Sequence, residues 1–264
     1  MKPLATIALL FCSVAANAQD SKVEARILSA YHGLDQLPER AGALALICGR
    51  PVGGHDGMPV VFSAQLDIDT VSPDAFAVET SSGDTLTPLC ATLRPAREPL
   101  ERRTVLLIGP FGSADSPPLG VEVVGRLRDV HGNALAGLRT DAVTALSAGP
   151  SLVFAERFAP GAPGLDEECP EATAQAVLLT WEGGVTGPRG ADLAEAQRTA
   201  ISVVLENGGR VHPLILGDVD RDNHVIACVG EASPAVSVNV TAGFFHDPGD
   251  DANPDTRVDV ISKF

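Results

Sequence analysis

Period two dominates the apolar pattern of this chain. In the run from Val60 to Leu66, the residues Val60, Phe62, Ala64 and Leu66 fall on one face while Ser63 and Gln65 fall on the other, as a half-buried strand requires. Thr104 to Ile108 is apolar on both faces and predicts a central strand; Val121 to Val124 predicts the next. The second half repeats the style, with Val177, Leu179 and Trp181, then Ile201, Val203 and Leu205, then Val236, Val238 and Val240 at alternate positions. Glu206-Asn207-Gly208-Gly209 separates Leu205 from Val211 and predicts a hairpin, and Pro213 confines its own strand, the one at Val211, to an edge or a bulge. Helical periodicity is scarce. Ala191 to Arg198, with Asp192 as its cap, and Asp35 to Ala45 predict two short helices, neither long enough to carry a core face. Short strands punctuated by turn residues predict an all-β fold built from β-sandwiches.

Breakers divide the pattern in two. Ala148-Gly149-Pro150, then Ala159-Pro160-Gly161-Ala162-Pro163-Gly164, form a Pro/Gly-rich linker region that no strand or helix continues through, with Leu152-Val153-Phe154 between them as a short strand. With 264 residues, this predicts two β-sandwich domains, residues 19–149 and 150–264, behind a segment of another kind. That segment, residues 1–18, pairs Lys2 with an apolar run from Leu4 to Val14 and small residues at Ala16 and Ala18, the layout of a secretory signal peptide. A lipoprotein would need a small residue before Cys12, where Phe11 stands. Later stretches fall short of a membrane span.

Export changes the reading of the cysteines. Cys12 leaves with the signal, and Cys48, Cys90, Cys169 and Cys228 remain, an even set for the oxidising periplasm or the cell exterior. Of three connectivities, Cys48 with Cys90 and Cys169 with Cys228 keeps each bridge within one predicted domain. The chain-entropy model gives about 3 to 4 kcal/mol for each such loop. A metal site would want a Cys-x-x-Cys pair, and a catalytic thiol would want a free cysteine.

The formal charge of −15 repels phosphate and anionic lipid, and aromatics at 4% leave few surfaces for stacking bases, so nucleic acid is not an expected partner. The expected partner is an unidentified protein or surface.

Three fragments of the first half, taken together, resemble the bacterial Ig-like domains of the S-layer-protein type. Pro59-Val60-Val61-Phe62-Ser63 with Leu66-Asp67-Ile68-Asp69-Thr70-Val71 is similar to that family's opening strand and acidic turn, and Phe76-Ala77-Val78 with Gly83 to its next strand. Val121-Glu122-Val123-Val124-Gly125, then Asp129 and Gly132-Asn133-Ala134-Leu135, is similar to the closing segment. The resemblance spans residues 58–138. It implies an Ig-like sandwich in an exported protein, in a family whose domains serve mostly as spacers or adhesion modules, and it carries over no catalytic residue. The family does not depend on a Cys48–Cys90 bridge and usually shows an aromatic where this chain has Val121 to Val124.

Candidate chemistry concentrates in the second half. Asp218, Asp220 and Asp222 alternate before Asn223 and His224, the oxygen spacing of a calcium loop, but the twelfth position is Val229 and the sixth is Asn223, so a solvated turn is the plainer reading. His246 to Asp255 reads as an exposed acidic connection. His212, His224 and His246 with neighbouring aspartates would be the ligands if the protein were a metal-dependent, hydrolase-like enzyme, although no motif fixes their geometry. Neither a Gly-x-Ser-x-Gly elbow nor a phosphate-binding Gly-x-x-x-x-Gly-Lys occurs. The sequence therefore points to an exported, non-catalytic binding or structural module that needs no cofactor, with calcium as the one ion its loops suggest.

Overall fold

The computed structural model describes residues 25–262 apart from 35, 38–41, 113–115, 146, 160, 163–167, 218, 219 and 221. The signal-peptide expectation lies outside the described residues. Strands dominate the described chain, so the fold is all-β.

In the first half, β1 (Ile27–Ala30), β2 (Asp56–Phe62), β6 (Thr104–Gly109) and β5 (Cys90–Thr92) form one antiparallel sheet in the order β1-β2-β6-β5. A second sheet follows the order β4-β3-β7-β8, from β3 (Phe76–Thr80), β4 (Thr85–Leu86), β7 (Pro118–Val123) and β8 (Arg139–Thr140). Met58, Val60 and Phe62 of one sheet and Phe76, Val78, Val121 and Val123 of the other meet in a single cluster. The alternation at 60 and 62 therefore is the inner face of β2. As expected, β6 is buried along its whole length between two neighbours. The strand ends at Phe62, short of Leu66, because the chain turns there: Leu66 bridges to Asp129 and sinks into the core from outside the strand.

In the second half a single eight-stranded sheet runs β12-β11-β15-β16-β9-β10-β14-β13. Its strands are β9 (Leu152–Phe158), β10 (Gln175–Trp181), β11 (Ile201–Leu205), β12 (Arg210–Val211), β13 (Ile215–Gly217), β14 (His224–Val229), β15 (Ala235–Val240) and β16 (Thr256–Ser262). One hydrophobic cluster joins Val177, Leu179 and Trp181 of β10 to Ile201, Val203 and Val238 from the other end of the sheet, so the sheet curls over its own core. The parallel pair β16 and β9, where Val260 stands opposite Ala155, joins the two ends of the sheet. Trp181 is fully buried with its ring 4.5 Å from that of Phe245.

Two local expectations need correction. Val236, Val238 and Val240 do not share a face: Ala235 pairs with Leu205 and Ser237 with Val204, so two residues oppose one. That bulge turns Ala235 into the core and leaves Val236 39% exposed. The helices shift as well. The described part of the first is α1 (Gly42–Cys48), and the second is α2 (Glu195–Ala200), which starts past Asp192 because the Gln197 side chain accepts the Ala194 N–H at 3.0 Å and supplies the cap. The hairpin at Asn207 is as expected: Asn207 Oδ1 accepts the Gly209 N–H at 2.8 Å, and β12, followed by Pro213, lies at the sheet edge.

The two cysteine pairs are at bonding distance, with Cα–Cα separations of 5.5 Å for Cys48–Cys90 and 5.6 Å for Cys169–Cys228. Both lie on outer sheet faces. Cys48 fixes α1 over β5, and Cys169 fixes the loop before β10 onto β14, each beside a small apolar cluster. Such bridges fit an oxidising compartment.

Asp129 explains why its turn holds. Its carboxylate accepts the N–H groups of His131 at 2.9 Å and Asn133 at 2.8 Å and the Asn133 side-chain amide at 2.7 Å. Burial pushes this carboxyl up, but the hydrogen bonds outweigh burial and hold it below the ordinary carboxylate range. A lowered folded value stabilises the fold above the unfolded pKa near 3.8, and that contribution disappears as pH falls through the folded value. Urea melts of wild type and Asp129→Asn are expected to differ clearly at pH 6 and to converge near pH 2. An unchanged gap would contradict this.

Candidate functional site

Buried polar side chains from turns and from β9 meet at the contact between the two halves. Arg103 ends the turn that leads into β6 and is 1% exposed. Its Nη2 donates to Glu156 Oε2 of β9 at 2.6 Å, its Nη1 donates to the Ser63 carbonyl at 2.7 Å, and its guanidinium lies 4.4 Å over the Phe154 ring. Burial pulls the Arg103 pKa down while Glu156 opposes the fall, so the carboxylate offsets part of the cost of burying this cation.

Tyr31 makes the second tie. It follows β1, and its ring is wedged against glycines from both halves: a Cβ at Gly33 would stand 2.4 Å from the ring, and one at Gly183 would stand 2.7 Å from it. Its hydroxyl donates to Asp247 Oδ2 at 2.6 Å and lies 2.8 Å from the Ala148 carbonyl. Burial first, then the Asp247 carboxylate, raises the phenol far above its ordinary value, which leaves it a neutral donor. Further ties are Thr144 Oγ1 donating to Glu182 Oε1 at 2.8 Å and Asn223 Nδ2 donating to Thr104 Oγ1 at 2.8 Å.

The loop at His246 to Asp255 is thus only partly the exposed connection expected. Asp247 and Asn253 are each 2% exposed. Asp247 serves Tyr31, and Asn253 Oδ1 accepts the N–H groups of Phe244 and Phe245 at 3.0 and 2.9 Å, so these two polar side chains act as internal struts. The segment at Gly149 is similarly confined, since a Cβ there would meet the Ala252 carbonyl oxygen at 1.9 Å.

Beside these ties lies a cleft of about 150 Å3, with Leu34, Pro59 and Leu93 on one wall and Gly184, Asp222 and Pro248 on the other. At its edge the turn before β14 is tightly drawn. Asp220 Oδ1 accepts the Asp222 N–H at 3.2 Å and Asp222 Oδ1 accepts the His224 N–H at 2.6 Å. Asp222 and His224, each 1% exposed, face Glu101 of the turn before β6, itself 4% exposed. One ligand atom from each of the three lies within 4.8 Å of the others. Glu101 also shares a hydrogen bond with Glu98, whose carboxyl it lowers.

The proposed ligand trio of the sequence does not assemble. Among the described residues, no group of close metal-ligating side chains contains two histidines. His212 is exposed with Nδ1 2.7 Å from the Ile201 carbonyl, His246 sits 2.9 Å from Asp250, and only His224 is deeply buried. The reason is the strand alternation that positions them: His224 opens an internal strand whose two faces are both covered, whereas His212 follows an edge strand. Of the three aspartates with the spacing of a calcium loop, Asp218 lies outside the described residues, Asp220 is exposed and Asp222 is buried.

No family model and no curated protein matches the chain. Among solved structures, it is similar to the N-terminal part of the bacterial S-layer protein SbsC, at 11% identity and TM-score 0.30, over 90% of this chain and 44% of that one. Domains 1–6 of surface layer protein SbsC give 10% identity and TM-score 0.30, over 92% and 41%. The chain spans less than half the length of either, and at this TM-score nothing about the chain rests on the likeness.

Glu101, Tyr31, Arg103 and Glu156 went unmarked in the sequence. Each is chemically ordinary in its own segment, and its role arises from a partner far along the chain. The one local signal was the run Glu101-Arg102-Arg103 directly before a wholly apolar strand, an unusual place for charge.

Proposed function

We propose that this protein is an exported, non-catalytic module that acts by binding or by structural support, built as two β-sandwich domains that meet near residue 149, the first of them Ig-like. Calcium on Asp218, Asp220 and Asp222 belongs to this reading as an optional ion. The observation that carries it is the use of the buried charged and polar side chains. Arg103, Glu156, Tyr31 and Asp247 hold the halves in one relative placement, which suits a scaffold that presents a surface or carries tension. Residues 1–18 supply the export route and the two cysteine pairs suit its destination.

The test uses the protein expressed with its leader. Mature chain starting near Gln19 should be recovered outside the cytoplasm, should sediment with isolated cell envelopes, and should leave panels of esters, peptides, glycosides and phosphate esters unhydrolysed. Turnover of any of these, lost in His224→Gln, would replace this reading with the metal-dependent enzyme.

A further inference from the structure

We propose that Glu101, Asp222 and His224 form a binding site for a zinc-class divalent metal ion that joins the two halves. This goes beyond the module reading and stands independently of it.

The argument starts from His224. It is 1% exposed, and both its ring nitrogens are buried without a hydrogen-bond partner. Asp222 Oδ1 lies 3.8 Å from His224 Nδ1, beyond hydrogen-bond reach, and already accepts the His224 backbone N–H. Asp222 Oδ2 is likewise buried without a partner. Buried polar atoms in folded proteins are almost always satisfied, and an imidazole with both nitrogens idle beside an idle carboxylate oxygen calls for an explanation. An ion bound between them would engage one ring nitrogen and the carboxylate oxygen together.

The donor set then selects the ion. Calcium and magnesium take oxygen ligands in larger number, whereas an imidazole nitrogen with carboxylate oxygens suits zinc and its first-row neighbours. Two carboxylates balance the charge of a divalent ion in a buried place. Zinc bonds to nitrogen and oxygen are about 2.0 to 2.2 Å long, so ligand atoms up to 4.8 Å apart close onto the ion by modest side-chain rotation. Asp222 also lines the 150 Å3 cleft, which gives the ion a way in and leaves room for a water as fourth ligand. Glu101 precedes β6 while Asp222 and His224 flank the start of β14, so the ion would tie the first half to the second next to the Asn223–Thr104 hydrogen bond.

The test takes the full mature chain stripped with a chelator and titrated with Zn2+ alone. One ion per chain should bind, the melting midpoint should rise by about 5 °C or more at saturating zinc, and Co2+ in its place should give the visible bands of a nitrogen- and oxygen-ligated site. Glu101→Gln and His224→Gln should each weaken zinc at least tenfold, whereas Asp220→Asn should not. Because the buried variants could misfold, crystals of the wild type soaked in zinc provide the second reading, with an anomalous peak expected among the three side chains. No binding, a peak elsewhere, or zinc affinity unchanged in folded His224→Gln would overturn the proposal, as would a shift given by Ca2+ alone and removed by Asp220→Asn.

Discussion

Glu156→Ala is expected to lower stability by about 3 to 5 kcal/mol, the cost of leaving a buried cation without its counter-charge. Arg103 is 1% exposed and its guanidinium is held by Glu156 at 2.6 Å. Removing the carboxylate leaves that charge in a setting that already pulls its pKa down, where the Ser63 carbonyl and the Phe154 ring remain against it among the described residues. Breaking a pair differs from never having had one. The double variant Arg103→Met with Glu156→Leu fills the same space without charge and should recover most of the loss. Urea melts of the wild type, both single variants and the double variant measure the coupling directly. Were Glu156→Ala to cost under 1 kcal/mol, the pair would be behaving like a solvated surface bridge and the account of the contact would be wrong.

Loss of either cysteine pair is expected to act on a comparable scale. Cys48 and Cys90 are separated by 42 residues and Cys169 and Cys228 by 59, and the chain-entropy model assigns about 4 kcal/mol to closing either loop. Each bridge also anchors something the sheets alone do not hold. Without Cys48, the seven-residue α1 has little to keep it on β5, because a helix this short is marginal in water. Without Cys169, the loop before β10 loses its attachment to β14 and uncovers the cluster around Leu178 and Ile226. Cys48→Ser with Cys90→Ser and Cys169→Ser with Cys228→Ser should each lower the urea midpoint strongly, and dithiothreitol should reproduce the sum. A melt insensitive to dithiothreitol would mean that the native protein carries free thiols.

The sequence carried the strands far better than it carried the junction, and the reason is physical. Alternation at Val60 and Phe62, or at Val177, Leu179 and Trp181, reports one-sided burial within a few residues, and the Asn207-Gly208 turn declares itself through backbone preference alone. The cysteine pairing was legible because the breakers near Gly149 separated the four residues into two sets. The bulge at Ala235 was not, since it depends on which residues stand opposite on β11. Nor was the candidate ion site. His224 and Asp222 stand out in the sequence as members of a histidine trio and an aspartate row, yet they face Glu101, more than a hundred residues away, and among the described residues the histidine trio does not come together. A residue's burial depends on what covers it, and at the junction the cover comes from the other half of the chain.

Scanning calorimetry of the wild-type mature chain, followed in parallel by the fluorescence of its single tryptophan, tests the central claim that buried polar ties make the two cores one unit. Trp181 reports the second core alone, whereas the heat reports both. The account predicts one transition, with the fluorescence midpoint at the heat maximum and matching calorimetric and van't Hoff enthalpies. Two separated transitions, with tryptophan following only one of them, would contradict it.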